Sequence, residues 1–275
     1  MKRLLFFCAM CAFLPFAYSQ DGNPVSDLNW IVGPVKADLG DTAEIDVPQG
    51  YGFLDGDNTR KFLELNENMT NGSEVGTVMP EDGGWFVIFE YEDTGYVKDD
   101  DKEDLDAAKM LKVLREAAEA GNRERRKRGW AEMTPERWFK APAYNETTHN
   151  LEWAPVFKVT SGEDEGETVN YNTRLLGRHG IMSVTLVMGP EQGAIVPEYQ
   201  KLISGFSYKK GSTYAEWREG DKVAEYGLSA LVAGGSLALA AKVGILQKFW
   251  KLILAGLVAV GAFFKRFYRK LAGKE

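Results

Sequence analysis

Two charge-free apolar runs in the last fifty residues constrain this chain more than any other feature. They are Tyr226–Ala241 and Leu252–Phe264. Each is shorter than the roughly 20 residues that a helix needs to cross the hydrocarbon of a bilayer. Basic residues separate and follow them, so that Lys242–Glu275 carries eight basic side chains and one acidic side chain. The pattern predicts a C-terminal helical tail that anchors the chain in a membrane.

One span or a hairpin of two short helices would both fit this tail. Val243–Phe264 is long enough for one span if its two lysines extend toward the headgroups. A single span leaves the basic end in the cytoplasm, as the positive-inside rule favours, whereas a hairpin returns it to the outside. We predict one span, in contact with membrane lipid through six residues in particular: Lys248, Phe249, Trp250, Lys251, Lys265 and Arg266.

The N-terminus has the pattern of a secretory signal. Lys2 and Arg3 precede the apolar stretch Leu4–Ala17, and small residues at Ala17 and Ser19 form a cleavage site. An uncleaved anchor helix is the alternative. The only cysteines, Cys8 and Cys11, lie inside this segment, so we expect a mature chain without thiols. The predicted organisation is a signal peptide over residues 1–19, an exported domain over 20–220 and the anchor over 221–275.

The charge of the body argues against one class of partner. The whole chain has a net charge of −7 although its tail is basic, so the body is strongly acidic. Nucleic-acid phosphates demand a basic surface, and nucleic acid is therefore not an expected partner.

Hydrophobic periodicity predicts an α+β domain with a largely antiparallel sheet and one long helix. Acidic residues over Asp99–Asp104 and basic residues near Arg126 favour a long helix between them, with Gly129 as its C-cap. A shorter helix is predicted from Asp57 or Asn58 to Asn66, and another at Glu198–Ile203. The predicted strands are Thr42–Val47, Trp85–Tyr91, Leu151–Thr160, Thr168–Leu176 and Ile181–Met188.

No catalytic or metal-binding constellation stands out in the sequence. His149 and His179 are the only histidines, and zinc would need both together with a carboxylate. Asp99–Asp104 lacks the spacing and glycine of a calcium loop, and we interpret it as a helix N-terminus. There is neither a serine-nucleophile elbow nor a phosphate-binding glycine loop. We therefore predict no catalytic residue, no metal and no cofactor.

One strand carries an unusual polar face. Strand alternation places Asn170, Asn172 and Arg174 on one side and Tyr171 and Thr173 on the other. Two amides and a guanidinium can recognise a carboxylate or a sugar, although a solvated sheet face or a structural polar network is also consistent with them. The candidate polar face comprises Asn170, Asn172, Arg174 and Arg178.

Seven strings of the chain are distinctive: Val47-Pro48, Gly50–Asp55, Gly95–Asp100, Asn150–Ala154, Val169–Arg178, Gly220–Leu228 and Phe249–Leu252. Together they resemble a bacterial family of predicted membrane-anchored proteins, domain of unknown function 2167. The resemblance covers nearly the whole mature chain and implies a bacterial, exported, C-terminally anchored protein. It brings no catalytic residue. The expected location is the bacterial inner membrane, with a single span, a periplasmic main domain and a cytoplasmic C-terminus.

Two functions remain open at this point. The first is a non-enzymatic envelope module that binds a partner, for example another envelope protein. The second is an unrecognised enzyme that acts on a small polar substrate through carboxylates and Arg174 or Arg178. A pocket joining Arg174 to an acid such as Glu90 would favour the enzyme, whereas a flat aromatic patch around Trp138 and Trp153 would favour binding.

Overall fold

Eleven strands in two sheets form the framework of the computed structural model, which describes Val25, residues 27–162 and residues 164–232. The predicted signal peptide and the tail residues 233–275, including Lys248–Lys251, Lys265 and Arg266, lie outside the described residues. The strands are β1 Ile31–Val32, β2 Val35–Leu39, β3 Ala43–Val47, β4 Tyr51–Asp55, β5 Glu74–Pro80, β6 Phe86–Glu92, β7 Glu132–Asn145, β8 Asn150–Ser161, β9 Asp164–Leu176, β10 Ile181–Met188 and β11 Phe206–Tyr208.

The larger sheet has eight strands in the order β1-β4-β5-β6-β10-β9-β8-β7, and the smaller has the order β11-β3-β2. All neighbouring strands in both sheets pair antiparallel. The predicted largely antiparallel sheet is therefore confirmed. The described helices are α1 Gly56–Leu65, α2 Ala107–Arg128, α3 Val196–Ile203 and α4 Leu228–Val232.

Helix α2 begins later than the acidic run suggested. Asp106 is its N-cap and accepts a hydrogen bond from the backbone N–H of Lys109 at 3.0 Å, and Gly129 ends it in the left-handed conformation, with φ of 70°. Asp99–Asp104 instead forms a separate segment that includes a 3₁₀ turn, because Leu105 and Asp106 adopt non-helical backbone angles. The predicted C-cap is confirmed, and the predicted start at Asp99 was about two turns too early.

The main core lies between the two sheets. One face of the large sheet packs against β2, β3, β11 and α3 through side chains such as Ile45, Phe89, Tyr171 and Leu186, each at most 2% exposed. Tyr199 of α3 is fully buried there and donates to the Thr173 hydroxyl at 2.7 Å. The opposite face of the large sheet is therefore the only one that can present β9 side chains to a ligand.

Helix α2 covers the outer edge of the large sheet. The buried Asn122 carboxamide donates to the Met133 carbonyl at 3.0 Å and accepts from the Met133 N–H at 2.9 Å, as a neighbouring strand would. The Trp138 indole N–H donates to the Ala107 carbonyl at 3.0 Å. The Asn122 contacts occupy β7 backbone groups that an uncovered edge strand would leave open to another chain.

Residues 221–232 pack against the domain. Asp221 forms a two-bond ion pair with Arg178, at 2.7 and 2.9 Å. The Asp101 carboxylate accepts from the backbone N–H groups of Leu228 and Ser229, at 2.9 and 3.1 Å, and so caps α4 from a distant part of the chain. Leu228 and Leu231 of α4 are fully buried. The start of the predicted anchor segment thus contributes to the core of the domain.

The Arg178–Asp221 pair makes part of the stability dependent on pH. Hydrogen bonds from Arg178 lower the pKa of Asp221 from its ordinary 3.8 to about 2. Because folding lowers this pKa, the ionised Asp221 carboxylate stabilises the folded domain. The full stabilisation is present above about pH 4 and is lost as the pH falls toward 2. We expect the melting temperature of Asp221→Asn to fall less than that of the wild type between pH 5 and pH 2.5. Asp93→Asn, at a carboxylate that is 76% exposed, is the control. If the melting temperatures of the wild type and Asp221→Asn fall equally between pH 5 and pH 2.5, the ion pair does not make the stability depend on pH.

Candidate functional site

The predicted polar face of β9 is part of a belt that crosses three strands. Arg174 lies opposite Ser183 of β10, which in turn lies opposite Glu90 of β6. One step along the strands, Asn172 lies opposite Thr185. We define the polar belt as Glu90, Asn170, Asn172, Arg174, Ser183 and Thr185.

Apolar layers border the belt at both ends of the strands. Toward one end, Trp153 and Ile181 pack with Leu228 of α4. Toward the other, Phe86 packs with Phe62 of α1. Every second residue of a strand points to the same face of the sheet. On this face the polar belt therefore lies between two apolar regions that helices cover. All belt residues except Ser183 are half-buried rather than enclosed.

Arg174 has an uncommon environment for a cation. Its guanidinium lies over the Trp153 ring, 4.7 Å from the ring centroid. Among the described residues, its Nη1 atom is buried and has no hydrogen-bond partner. Burial lowers the pKa of Arg174, while the charges of Glu90 and Glu92 oppose that shift. Arginine nevertheless stays protonated in proteins, so the belt contains a half-buried cation whose buried Nη1 atom has unused donor capacity.

Glu90 is the acid that faces Arg174 across the belt. The Ser73 hydroxyl donates to its Oε1 atom at 3.2 Å. No ion pair within 4.0 Å joins Glu90 to Arg174 in the described chain. Burial raises the pKa of Glu90, and the positive charge of Arg174 counteracts part of that rise. Two opposite charges therefore share the belt without contact, because the short Ser183 side chain stands between them.

The side-chain amides of Asn170 and Asn172 differ in whether their hydrogen-bonding atoms have partners. Asn172 donates to the Asn170 carbonyl at 2.8 Å and accepts from the Thr185 hydroxyl at 3.2 Å. The side-chain oxygen of Asn170 is buried and has no hydrogen-bond partner in the described part of the chain. The belt thus contains one unpaired donor, on Arg174, and one unpaired acceptor, on Asn170.

The fourth residue of the candidate face, Arg178, lies elsewhere. It follows the end of β9, its backbone N–H bonds the Ser212 carbonyl at 2.9 Å, and its side chain is engaged by Asp221. Strand alternation does not extend beyond Leu176, so the structure does not bring Arg178 to the polar belt.

The aromatic residues that sequence reasoning grouped together are separated in the structure. Trp153 is 2% exposed and belongs to the core, and Trp138 is half-buried against α2. A flat patch around these two rings is therefore not present.

A different aromatic cluster was missed by the sequence reasoning. The rings of His149, Tyr214, Tyr96 and Trp217 follow one another at centroid distances of 4.8, 4.4 and 5.3 Å. Tyr144 approaches both the Asp99 carboxylate and His149 Nδ1 at 3.0 Å. These residues come from segments far apart in sequence, so no local pattern could have revealed them. Their contacts hold the chain around Trp217 onto the domain.

Metal coordination has no geometric support where the structure can be described. Among those residues, no group of three or more histidine, cysteine, aspartate or glutamate side chains is placed to hold a metal ion. The Asp99–Asp104 carboxylates have other contacts, since Asp99 lies against Tyr144 and Asp101 caps α4.

Comparison with known proteins identifies the family. The model of the family described as protein of unknown function (DUF2167) matches residues 31–264, which is most of the chain. The chain belongs to this family. The resemblance predicted from sequence is thereby confirmed, and the family description assigns no activity. No functionally curated protein matches the chain at a significant level.

Two solved structures are similar to this chain at low identity and low TM-score. The solution structure of cyanobacterial PsbP (CyanoP) from Synechocystis sp. PCC 6803 has a TM-score of 0.38 and 11% identity, and covers 67% of this chain and 99% of its own. The Saccharomyces cerevisiae Ran-binding protein Mog1p has a TM-score of 0.31 and 9% identity, with coverages of 68% and 100%. At such TM-scores neither likeness supports a statement about function.

Across the described residues, no helix has the length and hydrophobicity needed to span a bilayer.

Proposed function

We propose that this protein is an envelope-anchored binding module whose polar belt holds a ligand or partner. Its sequence supports an exported domain, a single C-terminal span in the bacterial inner membrane, a periplasmic main domain and a cytoplasmic basic end. In this proposal the tail contacts membrane lipid, and the domain engages a protein or small molecule of the envelope without chemical turnover.

One observation carries the proposal: a half-buried belt combines an unpaired buried donor on Arg174 with an unpaired buried acceptor on Asn170. Leaving a buried polar group unpaired costs about 1–3 kcal/mol. Native structures keep few such groups, and those they keep call for an explanation such as a bound molecule or a catalytic role. A ligand that completes both groups would offset this cost on binding.

The enzymatic alternative has one specific feature in its favour, which is the acid Glu90 with a raised pKa close to Arg174. Raised carboxyl pKa values are common at catalytic sites, although structural charge networks also produce them. Arg178, the other cation of that alternative, is occupied by Asp221. Glu90→Gln separates the two functions, because a binding module would retain function with a neutral amide whereas a general acid or base would not.

Arg174→Met is expected to separate stability from function. Methionine keeps the apolar stem over Trp153 but removes the unpaired cation, so the free energy of unfolding should change by no more than about 1 kcal/mol, in either direction. Capture of partners from membranes by the full-length protein should weaken strongly. The measurements are a thermal melt and quantitative affinity capture from detergent-solubilised membranes.

Arg123→Met is the matched control, because Arg123 is an exposed arginine of α2. It should leave both the melt and the capture unchanged. If Arg174→Met captures the same partners at wild-type levels, the polar belt is not the binding site. If it instead lowers stability by several kcal/mol, Arg174 has a structural role and the proposal fails.

A further inference from the structure

We infer that the polar belt binds a neutral, hydroxyl-rich ligand of the saccharide class. This inference rests on the proposed function and adds the chemistry of the ligand. It follows from three properties of the belt: its unpaired hydrogen-bonding groups, its charge and its spacing.

The unpaired groups require a ligand that both accepts and donates. Arg174 Nη1 is a donor without an acceptor, and the Asn170 side-chain oxygen is an acceptor without a donor. A carboxylate or a fully ionised phosphate can only accept, so it would leave Asn170 unpaired. A hydroxyl group accepts and donates at once, and adjacent hydroxyls on a sugar ring repeat that capacity.

The charge of the belt disfavours an anion. Arg174 is the only cation of the belt, while Glu90 and Glu92 act on it from β6. Glu74, opposite Glu90 on β5, is buried and lies 3.9 Å from Arg60, so its charge is compensated away from the belt. An anionic ligand would meet the one positive group, Arg174, and the two carboxylates that act on it, Glu90 and Glu92. A neutral ligand avoids that repulsion and can still accept from Arg174.

The spacing suits a ligand about the size of one sugar ring. Glu90, Ser183 and Arg174 occupy matching positions on three neighbouring strands. Adjacent strands lie about 4.8 Å apart, so the Glu90 and Arg174 backbones are about 10 Å apart. Their side chains point to the same face without touching. A ring with several hydroxyls is long enough to accept from the guanidinium at one side and donate to the carboxyl at the other.

A charge series on one sugar scaffold tests this inference. The probes are D-glucose, D-glucuronate and D-glucosamine, which carry no charge, a negative charge and a positive charge at neutral pH, with glycine as a zwitterion. Binding to the full-length protein in detergent is measured by ligand-observed NMR and calorimetry. We expect glucose to bind more tightly than glucuronate by at least about tenfold, which corresponds to one hydrogen bond or one repulsive contact.

Variants connect the binding to the belt. Arg174→Met and Asn170→Leu should each weaken glucose binding by about tenfold, whereas Arg123→Met should retain it. Thermal melts of all three variants identify any that fail to fold. If Asn170→Leu does not fold, Asn170→Ser replaces it.

The outcomes distinguish this inference from the proposed function. Binding of glucuronate or glucosamine more tightly than glucose would assign the belt to anions or to cations, and tighter binding of glycine would assign it to zwitterions. Each of these results overturns the saccharide class while leaving a binding module. If none of the four probes binds, the saccharide class is also overturned, and partner capture by Arg174→Met decides separately whether the belt binds anything.

Discussion

A chain that ends after Val232 is expected to stay folded, whereas a chain that ends after Gly220 is expected to lose most of its stability. The shorter chain loses Leu228, Leu231 and Val232, which are 0–1% exposed. Burying each such side chain contributes about 1.5–3 kcal/mol, so their loss costs on the order of 5 kcal/mol or more. Domains are stable by only about 5–15 kcal/mol. Chemical denaturation of the two purified chains measures the difference.

The same truncations test the membrane anchor. The chain ending after Val232 should remain in the supernatant after membranes are pelleted, and the full-length chain should pellet with them. Leu228→Ala in the full-length chain is the control, since it should lower stability by about 2–5 kcal/mol and leave membrane retention intact. A chain ending after Val232 that still pellets after a salt wash would disprove the anchor. Equal stability of the two truncated chains would show that α4 does not belong to the core.

Trp153→Ala is expected to destabilise the domain by about 3–5 kcal/mol, which is typical for removing a large buried ring. Trp153 is 2% exposed and packs with Leu151, Ile181 and α4. The change also removes the ring beneath the Arg174 guanidinium, so ligand binding at the belt should weaken as well. Equilibrium denaturation and the glucose titration measure the two effects.

Trp217→Ala is the matched control for this prediction. Trp217 is 39% exposed, and among the described residues its only ring partner is Tyr96, so its loss should cost about 1 kcal/mol or less. It should not change binding at the belt. If Trp153→Ala is no more destabilising than Trp217→Ala, the burial of Trp153 in the core is contradicted.

Regular alternation and clear turn signals made some elements predictable. Strand β10 has the predicted bounds, and β3, β6, β8 and β9 lie within a few residues of theirs. For helix α1 the predicted capping residue, Asp57 or Asn58, was two or three positions too late, since Asp55 accepts from the Asn58 N–H. In these segments the local propensity and the final packing agree.

Edge and irregular strands were not predictable in the same way. Strand β7 contains Pro135 and Pro142 and shows half-exposed side chains along most of its length, as edge strands tolerate. Strand β5 contains Gly76, where the Phe53 ring and Leu39 leave no room for a side chain, and its register shifts beside that glycine. Proline and glycine disfavour strand conformation in these two segments. Only pairing with the neighbouring strands holds β5 and β7 in the extended conformation.

The sequence by itself determined the class of the fold, the family and the one strand face that carries two amides and an arginine. These follow from side-chain periodicity and residue strings, which are properties of neighbours along the chain. Only the tertiary structure decided the surroundings of that face: Arg174 lies over Trp153 from another strand, Arg178 forms an ion pair with Asp221 away from the belt, and α4 joins the core. The physical reason is that burial and unpaired hydrogen-bonding groups depend on which distant segments pack together, and local sequence patterns do not encode those distances.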